Sequence, residues 1–401
     1  MILGPEFAKL WAGQSISRLG SQITVFALPT FAVLVLHASA PQIGTLTALE
    51  FLPFPVLGLF AGVWVDRMPR RRVMIAADVV RTIALGSIPL AGFLGSVEIV
   101  QLYLVAVVAG SASVFFDVAY QSYLPAIVGK DQLTNANARL EFSNSAAQIA
   151  GNAAGGLLIG TIGAVKAIAL DAFSYIISVV SLLLIRAEEA PAAHSRPARG
   201  AFFMELAEGL QVVWHNRNLR QIGLCTAISN FGGSIVVAVE FIFFYRNLGL
   251  TPGALGVVLG VANVGFIGAL LAGRAAKVLG IKRTLVISMA LSTLATACIP
   301  LAQYAAPLLI TFLTTAAQAI SIPIYNITQV SWRQGAVPEY LQGRMNATMR
   351  TFVWGTLPLG AVIGGILGSA VGIVPAIFIG AALCGVAALA LIPLRFGLLV
   401  E

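Results

Sequence analysis

The chain has 401 residues, of which 58% are hydrophobic and only 10% are charged. Soluble domains carry about a quarter charged residues. This composition therefore excludes a soluble globular protein, a disordered chain and a disulfide-rich secreted scaffold. In a chain this apolar, the net charge of +8 is more typical of the cytoplasmic loops of a membrane protein than of nucleic-acid binding.

The residue types that bind metals or perform catalysis are few and scattered. The three cysteines lie in apolar runs without C-x-x-C spacing, and the three histidines form no cluster. We therefore predict no disulfide framework, no metal site and no cofactor. The sequence also has no P-loop, metalloprotease or serine-hydrolase motif in a usable context. We expect a protein that is not an enzyme and is not driven by ATP.

Apolar runs of about 20 residues or more, the length of a transmembrane helix, recur along the whole chain. A transmembrane β-barrel would instead show segments of about ten residues with alternating polarity. The pattern predicts an all-α polytopic membrane protein. The twelve predicted spans are 8–36, 43–65, 73–95, 99–124, 139–163, 165–185, 218–247, 252–276, 284–303, 306–331, 345–370 and 373–395.

The longest polar segment, 186–217, lies between the sixth and seventh spans. Its first part is rich in Ala and Pro, which indicates a flexible linker. In its second part, Phe202, Leu206, Leu210 and Val213 fall on one helical stripe, which predicts a short amphipathic helix on the membrane surface. With the N-terminus inside, about twenty Lys and Arg residues lie beside cytoplasmic loops and about two beside outer loops, which predicts that both termini are cytoplasmic.

The two halves of the chain resemble each other at an offset of about 208 to 212 residues. Ala61-Gly62 at the end of span two matches Ala272-Gly273 at the end of span eight, and Gly155-Gly156 matches Gly364-Gly365. Matches that keep one register indicate two parallel repeats of six spans. The predicted domains are 1–185 and 218–401, with 186–217 as a cytoplasmic linker.

The loop after span two carries the most specific motif, Gly62-Val63-Trp64-Val65-Asp66-Arg67-Met68-Pro69-Arg70-Arg71. It is similar to the signature G-x-x-x-D-R-x-G-R-R/K of the major facilitator superfamily, with Pro69 in place of the second glycine. The resemblance covers the whole chain and implies twelve helices in two pseudo-symmetric six-helix bundles. It also implies a gating latch between the halves, in which a glycine at the helix end permits close approach. The latch residues are Gly62, Asp66, Arg67, Arg70 and Arg71. The alternative is that the basic residues only determine the topology.

Span five contains Gly151-Asn152-Ala153-Ala154-Gly155-Gly156. This segment resembles the G-P-x-x-G-G motif of exporters in the superfamily, with Asn152 in place of proline; ordinary small-residue packing is the alternative. The segments 11–17, 117–125 and 337–344 resemble the branch that contains macrolide-efflux and enterobactin-export proteins. Lysophospholipid transporters lie nearby.

Ionisable residues inside the spans are costly, so each needs a partner or a water-filled cavity. Asp78 and Arg81 lie one turn apart in span three, where they can pair with each other. The predicted carriers of a coupling proton are Glu50, Asp117 and Glu240. The alternatives are structural ion pairs, of Asp117 with Arg18 and of Glu240 with Arg246.

In the superfamily, spans one, four, seven and ten line a central cavity. Polar and aromatic side chains on these spans are candidates to contact substrate, while helix-to-helix hydrogen bonding is the alternative for each. The candidates are Gln14, Arg18, Gln22, Tyr120, Asn230, Tyr325 and Asn326.

These observations and the resemblance imply a secondary transporter that exports a bulky hydrophobic or amphipathic compound by alternating access, in exchange for protons. The alternative is a lysophospholipid or siderophore transporter without strict proton coupling. A membrane enzyme and a sensor are disfavoured, because the sequence contains neither a catalytic constellation nor a soluble signalling domain. The expected partners are a small-molecule substrate, protons and the lipid bilayer, and not nucleic acid. We expect a monomer in the cell (inner or plasma) membrane.

Overall fold

The computed structural model of the chain describes residues 4–65, 67–129, 132–186 and 210–394. Helices occupy nearly all of these residues, and no strand occurs among them. The α-helices of eleven or more residues in the described ranges, named in chain order, are α1 Pro5–Leu34, α2 Ala40–Phe51, α3 Pro53–Val65, α4 Arg70–Phe93, α5 Ile99–Val128, α6 Leu133–Ile162, α7 Ala164–Leu184, α8 Arg217–Ile242, α9 Pro252–Ala262, α10 Gly265–Leu279, α11 Ile281–Cys298, α12 Pro307–Ala336, α13 Glu339–Ala370 and α14 Ile373–Leu389.

The predicted all-α membrane architecture is confirmed. Ten of the predicted spans each correspond to one described helix, and two correspond to consecutive pairs, α2 with α3 and α9 with α10. Within the described residues, eight helical segments are long and apolar enough to cross a membrane. Short irregular turns extend two helices: a π-helical turn, Phe243–Asn247, follows α8, and a 3₁₀ turn, Ile299–Gln303, follows α11.

Spans two and eight are each formed by two consecutive helices. Span two breaks at Leu52, directly before Pro53, because a proline disfavours helical geometry in the preceding residue and offers no N–H to an earlier carbonyl. Span eight breaks at Asn263 and Val264, before Gly265. The breaks at positions 52 and 263 are separated by the same offset that relates the two sequence repeats.

The first compact unit comprises Met1–Ala38, Leu52–Ser195 and Leu250–Val261. Within it, α1 packs on α6 and α7, α4 packs on α5 and α7, and α3 packs on α5. Its largest described core cluster contains Phe7, Leu10, Met74, Phe116 and Tyr123, all almost inaccessible to solvent.

The second compact unit comprises Ser39–Phe51, Arg196–Gly249 and Ala262–Glu401. Within it, α8 packs on α13 and α14, α2 packs on α13, and α12 packs on α10 and α11. Small side chains bring three of these helices together, since Ala48, Ala238 and Ala361 form one buried cluster.

Many large apolar side chains lie on the outside of these helices. Phe93 is 90% exposed, Leu270 76% and Ile83 68%. An apolar outer surface with its backbone groups bonded inside helices is what a lipid environment demands.

The linker between the sixth and seventh spans is described only in part. Phe202 and Leu206 of the predicted surface helix lie outside the described residues, whereas residues 210–215 are helical. In this short piece Leu210 is exposed and Val213 is buried. The domain limits at 185 and 218 stay a prediction.

Candidate functional site

Four of the predicted site residues line one cavity of about 250 Å³ inside the second unit. They are Asn230 and Glu240 on α8 and Tyr325 and Asn326 on α12. Hydroxyl and amide side chains from α8, α11 and α12 line the rest of the wall together with a similar number of apolar or small residues, such as Phe51. A wall that combines apolar surface with a few polar groups is typical of small-molecule sites.

Hydrogen bonds inside this cavity hold several of its polar groups in place. The hydroxyl groups of Thr226 and Tyr325 lie 2.8 Å apart, and Gln318 Nε2 donates to Thr296 Oγ1 at 3.0 Å. Asn230 Nδ2 donates to the carbonyl of Val353 at 3.3 Å. The wall therefore consists of side chains that are already positioned, which lowers the entropy lost when a ligand binds.

Glu240 is the one carboxylate among the described residues of this cavity wall. Its side chain is half-buried. The pair of Glu240 with Arg246, considered as an alternative from the sequence, is absent from the salt bridges formed among the described residues. Arg246 lies beyond the end of α8, in the π-helical turn.

Three other predicted site residues meet in the first unit. Gln14 and Arg18 on α1 and Tyr120 on α5 line a pocket of about 550 Å³, together with Glu141 and neighbouring polar residues of α6. Arg18 Nη2 lies 3.6 Å from Asp117 Oδ1, and both side chains are more than one third exposed. The predicted alternative of a pair between Arg18 and Asp117 is therefore confirmed as a contact, at a distance and exposure that make it weak.

A buried polar network in the same unit includes residues that were not among the predicted sites. Gln14 Nε2 donates to Ser178 Oγ at 2.9 Å, and Ser178 Oγ donates to Asp78 Oδ2 at 2.6 Å. Asp78 accepts a hydrogen bond from Arg81, which confirms the pair expected from their spacing. Asp78 is 0% exposed. The one-turn spacing in the sequence indicated the pair, but no local signal indicated Ser178.

Aromatic rings enclose the charge of Arg81. Its guanidinium carbon lies 4.2 Å from the centre of the Phe116 ring and 4.4 Å from that of Tyr175. The Tyr175 hydroxyl is 2.9 Å from that of Ser21 on α1. The network therefore contacts α1 at two residues, Gln14 and Ser21. Cation–π contacts of this kind are strengthened when water is excluded.

The proton-carrier candidate Glu50 and the substrate-contact candidate Gln22 lie elsewhere. Glu50 is half-buried near the end of α2 and is absent from the described lining of the second-unit cavity. Gln22 on α1 packs against α6, because a Cβ added to Gly151 would overlap the Gln22 Cβ.

The predicted latch residues are described in part, since Asp66 lies outside the described residues. Arg71 donates from Nε to the Leu182 carbonyl and from Nη2 to the Leu183 carbonyl, both at 2.7 Å. It thereby caps the carbonyl end of α7, where a cation is favoured. The close helix approach expected at Gly62 is not found: an added Cβ would meet no described atom within 4 Å. Arg67 is exposed and Arg70 is half-buried.

The glycines of span five do lie at a close helix approach. A Cβ added to Gly156 would overlap the Pro252 carbonyl oxygen and lie 2.7 Å from Gly256 Cα. The Asn152 carbonyl would lie 2.6 Å from a Cβ on Gly256. Helices α6 and α9 therefore approach at distances that only glycine permits. Gly151 and Gly155 pack against α1 on another side of the same helix.

Comparison with known proteins agrees with this architecture. A family model described as "Major Facilitator Superfamily" matches residues 10–326. The multidrug efflux pump Tap of Mycolicibacterium fortuitum is 28% identical over 380 residues, which cover 92% of this chain and 89% of that protein. Macrolide efflux protein A of Streptococcus pyogenes is 23% identical over 379 residues, with 92% and 90% covered.

Solved structures with the same fold include two transporters. The nucleoside transporter NupG superposes with a TM-score of 0.75 at 15% identity, over 97% of this chain and 98% of that one. A bacterial homologue of the iron transporter ferroportin, in an inward-facing state, superposes with a TM-score of 0.72 at 16% identity, over 98% and 99%. At these identities the similarity concerns the fold alone.

Proposed function

The chain belongs to the major facilitator superfamily and is a multi-pass membrane transporter, not an enzyme, and from this premise we propose that it exports a bulky hydrophobic or amphipathic compound in exchange for protons. The proposal includes alternating access between two six-helix halves, both termini in the cytoplasm, and action as a monomer in the cell membrane. Export is supported by the relatives named as efflux pumps, which cover nearly the whole chain.

The observation that carries the substrate class is the second-unit cavity, where a single described carboxylate, Glu240, lies among hydroxyl, amide and apolar side chains. Apolar groups such as Phe51 and Ile322 suit the hydrophobic part of a compound, and Glu240 suits a basic amine. The cavity volume of about 250 Å³ is slightly below the 300–1,000 Å³ typical of drug-sized sites. It therefore accommodates one moiety of a bulky compound.

Proton exchange rests on the carboxylates in the second unit. An ionised carboxylate inside the membrane is costly unless it is paired, and protonation removes that cost. The salt bridges formed among the described residues do not include Glu240 or Glu50. We propose Glu240 as the principal proton carrier and Glu50 as the second. Asp117 ranks below both because Arg18 lies beside it.

A transport assay in proteoliposomes tests the proposal. A pH gradient is applied, and movement of fluorescent hydrophobic cations, macrolides and lysophospholipids is measured for the wild type, Glu240→Gln and Glu50→Gln. We expect gradient-driven movement of a cation or macrolide by the wild type. Glu240→Gln should lower the gradient-driven rate at least about tenfold, the effect of losing about 1.4 kcal/mol of coupling.

The matched control is Glu98→Gln, since Glu98 is an exposed residue directly before α5 whose carboxylate makes no capping hydrogen bond to that helix. It should transport like the wild type. If Glu240→Gln and Glu50→Gln both retain full gradient-driven transport, the proton-exchange part of the proposal is wrong. If only lysophospholipid moves, and moves without regard to the gradient, the proposed substrate class is wrong and the lipid alternative replaces it.

A further inference from the structure

A second, larger pocket lies in the second unit, apart from the cavity that contains Glu240. It has a volume of about 1,270 Å³ and is bordered by α10, the start of α11 and α12. Three cations, Lys277, Lys282 and Arg283, belong to its lining. The described lining contains no Asp or Glu. The described lining therefore carries three positive charges and no negative charge.

Among the described residues, no acidic side chain forms a salt bridge with these cations. The salt bridges formed among the described residues involve Lys9, Arg18 and Arg81, and none of the three pocket cations. All three residues are exposed. Like charges that line one pocket repel each other unless an anion is present.

The backbone at the pocket adds to the positive potential. Lys282 and Arg283 lie in the first turn of α11, an 18-residue helix that begins directly after Gly280. The N-terminus of a helix already has a partial positive charge and free N–H groups, so cations in its first turn are unfavourable. An anion at this position would satisfy the N–H groups and relieve the repulsion.

The unpartnered hydroxyl of a residue that lines the pocket gives an independent indication of a ligand. Thr328 on α12 is 5% exposed, and its Oγ1 forms no hydrogen bond among the described residues. A buried hydroxyl without a partner is unfavourable. Thr328 lines the same pocket as the three cations, so a ligand that fills the pocket can supply the missing hydrogen bond.

We propose that this pocket binds the phosphate headgroup of an anionic phospholipid. Lys277, Lys282, Arg283 and the first turn of α11 would hold the phosphate, and Thr328 would bond a polar oxygen of the headgroup or glycerol. Leu279, Ile281 and Ile327 also line the pocket and suit the beginning of an acyl chain. The volume of about 1,270 Å³ far exceeds that of a free phosphate ion, and basic pockets between transmembrane helices are a known form of lipid headgroup site.

The test measures the lipid dependence of thermal stability. The full-length protein, purified in dodecylmaltoside, is titrated with phosphatidylglycerol or phosphatidylcholine, and the melting temperature is followed at each concentration. A ligand that binds the native state raises the melting temperature with concentration. We expect phosphatidylglycerol to do so and phosphatidylcholine to have little effect.

Charge-removing variants locate the site. Each cation near the surface contributes roughly a fivefold factor in affinity for anionic lipid, so Lys277→Gln/Lys282→Gln/Arg283→Gln should weaken phosphatidylglycerol binding on the order of 100-fold. Thr328→Val keeps every charge and should weaken binding by a smaller factor. Arg274→Gln is the matched control for Lys277→Gln. Arg274 is an exposed cation on the same helix that does not belong to the described pocket lining.

Three outcomes would overturn the inference. One is equal binding of phosphatidylglycerol by the wild type and the triple variant, provided that the variant elutes as a single species and melts cooperatively without lipid. Another is equal weakening by Arg274→Gln and Lys277→Gln, which would indicate a diffuse charge effect. The third is equal stabilisation by inorganic phosphate or glycerol phosphate, which would indicate a site for soluble anions. The assay needs no transport, so its result is independent of the export proposal.

Discussion

Arg81 illustrates how a single charge is accommodated inside this protein. It pairs with the fully buried Asp78, and its guanidinium lies between the rings of Phe116 and Tyr175. Taking two charges out of water is unfavourable, but leaving one of them without its partner is worse. Because Ser178 and Gln14 extend the network, the pair links α4 to α7 and α1.

We predict that Arg81→Met lowers the stability of the folded protein by about 3–5 kcal/mol, because it leaves Asp78 unpaired in a buried position. The double variant Asp78→Asn/Arg81→Met should recover part of that loss. Thermal unfolding in detergent measures both, with Lys166→Met as a control at the start of α7. If the loss of stability in the double variant equals the sum of the losses in Asp78→Asn and Arg81→Met, the two side chains do not interact.

A second prediction at the residue scale concerns Glu6, which precedes the predicted first span. Lys9 Nζ and the Arg186 N–H each donate to its carboxylate at 2.7 Å. The hydrogen bond from Lys9 is the main reason that the pKa of Glu6 lies below its ordinary value of 4.5. A lowered pKa in the folded state stabilises the protein above about pH 4.5, and this contribution disappears as the pH falls through the lowered value.

We therefore expect Glu6→Gln to melt at a lower temperature than the wild type near neutral pH. The difference between the two should shrink as the buffer is taken toward about pH 3. The measurement is the melting temperature of both proteins across this range. A difference that stays constant with pH would show that the carboxylate charge is irrelevant there.

At the scale of helices, glycine contacts recur at matching places in the two sequence repeats. Gly156 on α6 faces Gly256 on α9 within the first unit. In the second unit, a Cβ on Gly44 of α2 would lie 2.8 Å from Gly365 Cα on α13. Gly44 and Gly256 are separated by the offset of the repeat, as are Gly156 and Gly365. The repeat in sequence is therefore a repeat of close helix contacts.

We predict that Gly156→Leu destabilises the protein by about 1–3 kcal/mol or more, because the new side chain must displace the backbone of α9. Gly160→Leu is the control on the same helix, since an added Cβ there would be 3.9 Å from its nearest non-local neighbour. Melting temperatures of the two variants give the comparison. Equal losses would mean that helix propensity, and not the contact with α9, determines the effect.

At the scale of the whole molecule, the distribution of Lys and Arg predicts which ends of the helices lie in the cytoplasm. Ser96, in the turn between α4 and α5, and Arg217, at the start of α8, are both exposed and fall on opposite sides of the membrane in this prediction. We expect a membrane-impermeant maleimide to label Ser96→Cys in intact cells, and to label Arg217→Cys only after permeabilisation.

The native cysteines provide the background for this labelling experiment. Cys225 and Cys384 are buried and Cys298 is half-buried, so the unmodified chain should react slowly. Labelling of Arg217→Cys in intact cells at the rate of Ser96→Cys would contradict the predicted orientation.

Local patterns in the sequence were sufficient for the membrane class, the number of spans and the internal repeat. The length of an apolar run and the positions of Pro and Gly determine the structure of a single helix. They can therefore be recognised without knowing which helices lie next to it. The Asp78–Arg81 pair was predictable for the same reason, because both residues lie on one helix a single turn apart. The break at Leu52 also has a local signal, because Pro53 directly follows it.

The amino-acid sequence by itself thus determined that this chain is a helical membrane protein of two repeats, since burial of apolar residues in lipid is a property of each segment. The transporter class followed from the motif that resembles the major facilitator superfamily. Only the tertiary structure decided which polar residues meet. Gln14 reaches Ser178 across 164 residues, and Asn230, Glu240 and Tyr325 share a cavity. It also decided that a Cβ added to Gly62 would meet no described atom within 4 Å, while Gly156 is in close contact with α9. Such relations depend on how helices rotate and pack against one another, and the spacing of residues along one helix does not contain that information.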